Sequence, residues 1–403
     1  MRKPVVIVGA GHAGFHCAAA LRQQSYEDGI VLIAGEDSLP YQRPPLSKAY
    51  LLQKTSAADL LFRPERFFGD QRIDVVFANA ASIDRRLQQV VLLNGDCVEY
   101  SHLVLATGAK ARRLAIPGAD LAGVLALQTL GDADTLLPML RSCENVLVVG
   151  AGFIGLEFAT AARGLGLKVR VVDVADRPMS RALSNECGGF FANAHRQLGT
   201  EFLFNTGLER LEGLDGKVVA AVTSQGRRLP ADLVLVGIGA TPQTQLALQA
   251  GLAVENGISV DSHLLTADPN ISAIGDVACF PEAGSGRAIR LESVQNATDQ
   301  GRAVAARIMG KEAAYATVPW FWSDQGDIKL QIAGLRRGDE EHVVIGDPAS
   351  RSFSVLCIRD DTLAAVESVN RPADHMLARR LIAKGCRTTP AAARQPAFDL
   401  KAL

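Results

Sequence analysis

The chain has 403 residues, 48% hydrophobic and 21% charged, a balance that suits a globular protein of two or three domains. A formal net charge of −1 gives no global attraction to nucleic acid, and no apolar run approaches the roughly 20 residues needed to cross a bilayer. The seven cysteines (Cys17, Cys97, Cys143, Cys187, Cys279, Cys357 and Cys386) form no CxxC pair and no zinc-ligand spacing with histidine, so buried free thiols are the plain expectation. A strand begins within a few residues of the N-terminus, which leaves no room for a signal peptide and makes a cytoplasmic protein the default.

The first element is the strand "PVVIVG", which runs into a turn carrying Gly9, Gly11 and Gly14 and then the helix "AGFHCAAALRQQ". A second strand, "GIVLIAGE", ends at Glu36. Strand, glycine turn, helix, strand and acid in this order make a βαβ unit suited to a dinucleotide. The first glycine permits the tight turn, the second admits a pyrophosphate to the backbone, and the third lets helix and strand pack closely. The helix N-terminus offers N–H groups and a positive dipole end to phosphates. Glu36 can accept hydrogen bonds from ribose hydroxyls.

Next comes "LPYQRPPLSKAYLL". Alone, Lys48 reads as a surface lysine, but its apolar, proline-braced setting allows burial, and a buried lysine needs a partner. The strand "YSHLVLATGA" then ends in small residues and glycine. Near residue 145 the pattern of the first unit returns in "NVLVVGAGFIGLEFATAARGLG", with Gly150, Gly152 and Gly155, and the strand "LKVRVVD" ends at Asp173. An acid there disfavours the 2′-phosphate of NADPH by repulsion. Arg170 and Arg177 lie nearby and weaken that argument, unless they are ordinary solvated charges.

After a second apolar strand, "PADLVLVGIGATPQT", the stretch "NISAIGDVACF" reads as a strand ending in Gly275 and Asp276. That carboxylate could meet ribityl hydroxyls or could cap a helix. The helix in "LESVQNATDQGRAVAARIMG" starts at a Ser293 cap. Its N-terminus either stabilises negative charge on a flavin or belongs to a plain core helix. Finally "VPWFWSDQG" gathers both tryptophans, Trp320 and Trp322, around Phe321; such a cluster can be core, or can screen a flavin from water.

Taken together, "GAGHAG", "LPYQRPPLSKAYL", "LVLATGA", "GAGFIGLE", "ISAIGDVA", "RLESVQNATDQG" and "VPWFWSDQG" resemble the bacterial NADH-dependent ferredoxin reductases of oxygenase systems, the putidaredoxin reductase type. The resemblance covers essentially the whole chain. It implies a glutathione-reductase-like α/β fold: two Rossmann-type nucleotide-binding domains plus a C-terminal α+β domain. The FAD-binding domain is expected over 1–115 and 245–320, the NADH-binding domain over 116–244 and the C-terminal domain over 321–403.

The resemblance also implies roles for residues. Gly9, Gly11, Ala13 and Gly14 would meet the FAD pyrophosphate and Glu36 its adenosine ribose. Thr107, Gly108 and Gly275 would also line the FAD, Asp276 its ribityl chain and Val294 the pyrimidine edge. Trp320 would help wall the flavin pocket. Lys48 would lie near flavin N5, paired with Glu157 on the first turn of the second nucleotide helix, where Glu157 approaches the nicotinamide. Gly150, Gly152, Phe153, Ile154, Gly155, Asp173 and Gly239 would hold NADH. Gln128 departs from the family: many relatives have an arginine there that contacts FAD, and glutamine can keep a hydrogen bond but not the charge.

The implied activity takes hydride from NADH onto FAD and passes electrons singly to a 2Fe–2S ferredoxin, which serves a haem monooxygenase or a Rieske dioxygenase. Arg63, Arg66, Arg290 and Arg302 could meet an acidic ferredoxin or form a solvated face. By analogy the protein is a monomer or a weak homodimer. A disulfide reductase or NADH oxidase shares the fold but needs a redox-active cysteine, and the Lys48 segment has none. An NADH-sensing protein like apoptosis-inducing factor is the other alternative.

Overall fold

Near-continuous apolar runs such as VVIV and IVLIA build a parallel sheet that is buried on both faces. Its order is Ile271–Ala273, His102–Leu105, Val5–Val8, Ile30–Ala34, Ile73–Phe77, with every neighbouring pair parallel. The period-two alternation of a strand sends Val5, Ile7, Ile30 and Leu32 into one apolar cluster and Val6, Val8, Val31 and Ile33 into another. The computed structural model describes residues 3–311 and 313–403.

The helices His12–Gln23 and Val294–Ile308 both contribute to the first of those clusters. They cross closely because Gly301 carries no side chain: a Cβ there would come within 2.6 Å of the Ala13 carbonyl oxygen. The crossing sets the start of the later helix, capped by the Ser293 hydroxyl accepting from the Asn296 N–H at 3.1 Å, in the same unit as the first glycine turn.

This unit gathers the described residues of 1–42, 58–110 and 241–317; a second gathers 43–57, 111–240 and 318–403. The second holds another parallel sheet, ordered Glu201–Leu203, Lys168–Val172, Asn145–Val149, Leu233–Val236, Val124–Leu125. It also holds an antiparallel sheet ordered Trp320–Gln325, Ile328–Gly334, Thr362–Val369, Ser352–Arg359, Glu341–Asp347. The helix Pro372–Ala383 closes the latter, with Ala378 and Leu381 clustered with Ala333, Leu356 and Val366. Two Rossmann-type sheets and a C-terminal α+β part are therefore present, as the motifs led us to expect.

Local boundaries differ from the sequence reading at three strand ends. The strands read as ending at Glu36 and at Asp173 stop at Ala34 and at Val172. The strand expected to reach Gly275 and Asp276 stops at Ala273, and Gly275–Val277 forms a 3-10 turn instead. The reason is the left-handed backbone of Gly275, with φ +74°, which an extended run cannot continue through. The residue capping that turn is Ile274, so Asp276 is not its cap. Among the described residues no helix is long and apolar enough to cross a membrane.

Candidate active site

Each parallel sheet delivers a glycine turn at the end of its central strand, and the two turns have the same construction. Gly9 and Gly150 sit at φ +110° and +101°, where a Cβ would come within 2.2 Å of the Ala106 oxygen and 2.4 Å of the Gly237 oxygen. Gly14 and Gly155 are equally tight: a Cβ there would come within 1.9 and 2.3 Å of the Gly9 and Gly150 oxygens. Chain packing alone accounts for glycine at these four positions.

Gly11 and Gly152 are different. Both have ordinary negative φ, −75° and −78°, and each is the N-cap of its helix. A Cβ on Gly11 would meet nothing within 4 Å, and one on Gly152 only the Gly237 oxygen at 3.9 Å. Nothing in the fold demands glycine there. Neither helix has a side-chain cap or an acid in its first turn, so the leading N–H groups and the positive dipole end stay available to an anion. Both turns thus fit a pyrophosphate laid against the backbone.

The acids lie beside these turns. Glu36 accepts a hydrogen bond from the Tyr41 hydroxyl at 2.6 Å. Asp173 is pinned more firmly, one oxygen accepting from the Ala151 N–H at 2.6 Å and the other from the Ala175 N–H at 2.8 Å. Each carboxylate oxygen retains accepting capacity for a ribose hydroxyl. The two arginines that weakened the charge argument have partners of their own: Arg170 pairs with Glu201 at 2.9 Å and Arg177 with Asp176 at 3.0 Å.

Lys48 and Glu157 meet in an ion pair. The Pro44–Ser47 segment forms a 3-10 turn whose two leading prolines pre-set φ, and Lys48 follows it directly. Tyr50 braces the segment by donating to Asp134 at 2.6 Å. Lys48 Nζ lies 2.7 Å from Glu157 Oε2, with the two side chains 22% and 6% exposed. The Ser47 hydroxyl donates to the same oxygen, and the Ser323 hydroxyl donates to Oε1 at 2.7 Å. Glu157 stands one turn deeper than expected: the helix begins at Phe153, and its first turn carries no acid. That depth is what buries it.

Ser323 reaches Glu157 because the strand Trp320–Gln325 alternates. Phe321 packs on Phe153 with ring centroids 4.4 Å apart, and Ser323 and Gln325 follow on the same face. Trp320 and Trp322 take the other face, 5.6 Å apart. Arg379 lies over the Trp320 ring at 4.8 Å. Gln128 uses its side-chain oxygen to accept the Ala111 N–H at 2.9 Å, and Arg43 donates to its carbonyl at 2.8 Å, so a guanidinium stands beside the glutamine after all.

Residues 3–301 match the pyridine nucleotide-disulphide oxidoreductase family, and residues 320–403 match the reductase C-terminal family. Rhodocoxin reductase of Rhodococcus erythropolis is 47% identical over 398 residues, 98% of this chain and 93% of that protein. The ferredoxin–NAD(+) reductase component of the anthranilate 1,2-dioxygenase system of Burkholderia cepacia is 40% identical over 402 residues, 99% of this chain and 98% of that one. The ferredoxin reductase for the CYP199A2 system from Rhodopseudomonas palustris superposes with TM-score 0.97 at 47% identity, covering 100% of this chain and 99% of that chain. The covalent putidaredoxin reductase–putidaredoxin complex gives 0.96 at 36%, covering 99% of this chain and 97% of that chain. The chain belongs to the pyridine nucleotide-disulphide oxidoreductases, in their ferredoxin reductase branch.

The disulphide chemistry in that family name finds no support in this member. All seven cysteines are free. Cys17, on the helix after the first glycine turn, is fully buried, and burial pushes its thiol up to about 12. Burial likewise raises Cys187 and Cys357 well above the ordinary thiol value. Burial thus favours the thiol over the thiolate at Cys17, Cys187 and Cys357.

In the first unit of this reductase stand Gly9, Gly11, Ala13, Gly14, Glu36, Thr107, Gly108, Gly275, Asp276 and Val294. In the second stand Lys48, Gln128, Gly150, Gly152, Phe153, Ile154, Gly155, Glu157, Asp173, Gly239 and Trp320. Ser47, Ser323 and Tyr41 were missed by the sequence reading. A serine preceding a lysine, or one in a strand, carries no mark of what it faces.

Proposed function

We propose that this chain is an FAD-dependent NADH:ferredoxin oxidoreductase serving an oxygenase. The carrying observation is the pair of glycine turns on separate parallel sheets, each leaving space at its second glycine that the fold itself does not need. We assign the first to FAD and the second to NADH, an order that the family membership supports. FAD, when bound, would supply the conversion of the electron pair that NADH gives up as one hydride into single electrons.

The chain's own residues do the positioning. Gly9, Gly11, Ala13 and Gly14 take the FAD pyrophosphate, Glu36 the adenosine ribose, Asp276 the ribityl hydroxyls, and Thr107, Gly108 and Gly275 approach through backbone. The N-terminus of the Ser293-capped helix, at Val294, favours negative charge at the pyrimidine edge. Lys48 directs its ammonium at the reducible ring, Glu157 holds that ammonium and meets the nicotinamide, and Trp320 covers the ring with Gln128 nearby. Gly150, Gly152, Phe153, Ile154, Gly155, Asp173 and Gly239 receive NADH. The FAD-binding part spans 1–115 with 245–320, the NADH-binding part 116–244 and the C-terminal part 321–403.

The Asp173 carboxylate selects NADH over NADPH. Asp173→Asn removes the charge while keeping an acceptor for one of the two backbone N–H groups. The ratio of kcat/KM for NADH to that for NADPH should fall about tenfold, the size of one relieved charge repulsion near the surface. An unchanged ratio, or a wild-type protein that uses both equally, defeats the assignment.

The electron acceptor is a 2Fe–2S ferredoxin with an acidic face, taken up by a monomer or weak homodimer. Arg63 and Arg302 are exposed on the first unit near His16, whose pKa burial first and then these two arginines, against Asp299, hold down to about 4. The test is NADH-driven cytochrome c reduction with a panel of ferredoxins. A cognate ferredoxin should raise the rate well above direct reduction of dioxygen. Raising salt from 50 to 500 mM should slow the ferredoxin step and spare flavin reduction. If no ferredoxin outpaces dioxygen, an oxidase or NADH-sensing protein is the better description.

A further inference from the structure

The Glu157 carboxylate is the end point of a buried chain of hydrogen bonds that the Lys48 pair alone does not require. Ser323 donates to Glu157 Oε1 at 2.7 Å. The Ser323 oxygen accepts from Gln325 Nε2 at 3.2 Å, and Gln325 Oε1 lies 2.7 Å from His195 Nε2. All three residues are 0–1% exposed. His195 belongs to the helix Asn185–Gln197, so the chain links three elements: that helix, the C-terminal strand and the helix carrying Glu157.

Only one set of proton positions satisfies this chain. An ionised carboxylate cannot donate, so the Ser323 hydroxyl must point its hydrogen at Glu157. Its oxygen then accepts, which turns the Gln325 amide NH2 toward Ser323 and its oxygen toward His195. The imidazole must therefore carry its proton on Nε2, leaving Nδ1 bare. Nδ1 is indeed buried without a partner, an uncommon expense for a polar atom. Burial also lowers the His195 pKa, which keeps the ring neutral. Every dipole in the chain points its positive end toward Glu157.

We infer that Ser323, with Gln325 and His195 behind it, is a positioning residue that holds the Glu157 carboxylate aimed at Lys48 for hydride transfer. This rests on the reading of Lys48 and Glu157 as the pair at the reacting ring. The Ser47 hydroxyl and the Lys48 ammonium share Oε2, so Oε1 depends on Ser323 for its orientation. Losing Ser323 leaves the carboxylate held through Oε2 alone, with Oε1 no longer fixed. The relay also gives the C-terminal strand a part in the first half-reaction, separate from any part in covering the flavin.

The test uses FAD-loaded protein in stopped-flow with NADH. Ser323→Ala should slow flavin reduction about tenfold, the scale of one hydrogen bond to a charged group. The Kd for NADH and the FAD content should stay unchanged, and Ser323→Thr should restore most of the rate. Gln325→Leu, which leaves the serine hydroxyl unguided, should slow reduction about threefold by the same reasoning. In a Glu157→Gln background Ser323→Ala should add nothing, because the group it positions is gone. The infrared carboxylate band that disappears in Glu157→Gln should shift in Ser323→Ala measured without NADH. A wild-type rate and an unmoved band in Ser323→Ala, beside a slow Glu157→Gln, overturn the relay alone. A wild-type rate in Glu157→Gln overturns the reading of the pair beneath it.

Discussion

Glu157→Gln and Lys48→Met are each expected to slow reduction of the flavin by NADH 10- to 100-fold while leaving the protein folded and loaded with FAD. Glu157 is 6% exposed and Lys48 22%, so each charge depends on its partner rather than on water. Breaking a buried pair by deleting one member costs about 3–5 kcal/mol when both are fully desolvated, and partial solvation of Lys48 brings the stability cost here to about 1–2 kcal/mol. The two variants should move the flavin potential in opposite directions. Removing the lysine cation withdraws stabilisation from negative charge on the ring and lowers the potential. Removing the glutamate anion relieves repulsion and raises it. For a two-electron couple about 30 mV corresponds to 1.4 kcal/mol, so shifts of about 20–40 mV are the measurable scale. Potentiometric titration of the three proteins checks the sign. Shifts in the same direction, or unaltered reduction kinetics in both variants, remove the pair from the chemistry.

The parts of the molecule legible in the sequence are those whose physical requirement is local. Each βαβ unit declares itself within about 30 residues, because the strand, the three glycines, the helix and the acid must follow one another in order. Gly14 is readable for the same reason, since the atom it would strike, the Gly9 oxygen, belongs to the same turn, whereas Gly9 would strike the Ala106 oxygen at the end of the distant strand His102–Leu105. The Gly275 segment was harder. Its apolar run predicts a strand, and only the left-handed φ of one glycine converts the end of it into a 3-10 turn.

Long-range polar pairs left no local trace. Lys48 and Glu157 lie in segments more than 100 residues apart, and they were linked through a family resemblance and not by their own surroundings. The relay from Ser323 to His195 was invisible, since serine and glutamine in an alternating strand can face water as readily as a carboxylate. The depth of Glu157 was misjudged by one turn for a related reason. Where a helix starts depends on the cap, and Gly152 caps without a side-chain hydrogen bond that would mark it.

Valine at Gly11 or at Gly152 should separate the two nucleotide sites cleanly. Both positions have the negative φ and extended ψ that a β-branched residue accepts, −75° and −165° at Gly11, −78° and −177° at Gly152. A Cβ at either meets no atom of the chain closer than 3.9 Å. The fold should survive with a loss of about 1 kcal/mol, since valine is a poorer N-cap than glycine. The ligand should not, because the added methyls fill the space a pyrophosphate needs against the backbone, and overpacking of that kind costs about 1–3 kcal/mol at least. Gly11→Val protein should therefore purify nearly colourless, with FAD affinity reduced about 100-fold or more. Gly152→Val protein should stay yellow, keep its FAD, and bind NADH about 100-fold more weakly with no change in the absorbance of the oxidised flavin. Gly9→Val, by contrast, should fail to accumulate as folded protein, because its Cβ would sit 2.2 Å from the Ala106 oxygen. Absorbance at 450 nm per polypeptide, thermal melting of each variant and NADH titration together decide the matter. If Gly11→Val retains full flavin, or if Gly152→Val loses flavin and keeps NADH binding, the assignment of the two turns is wrong.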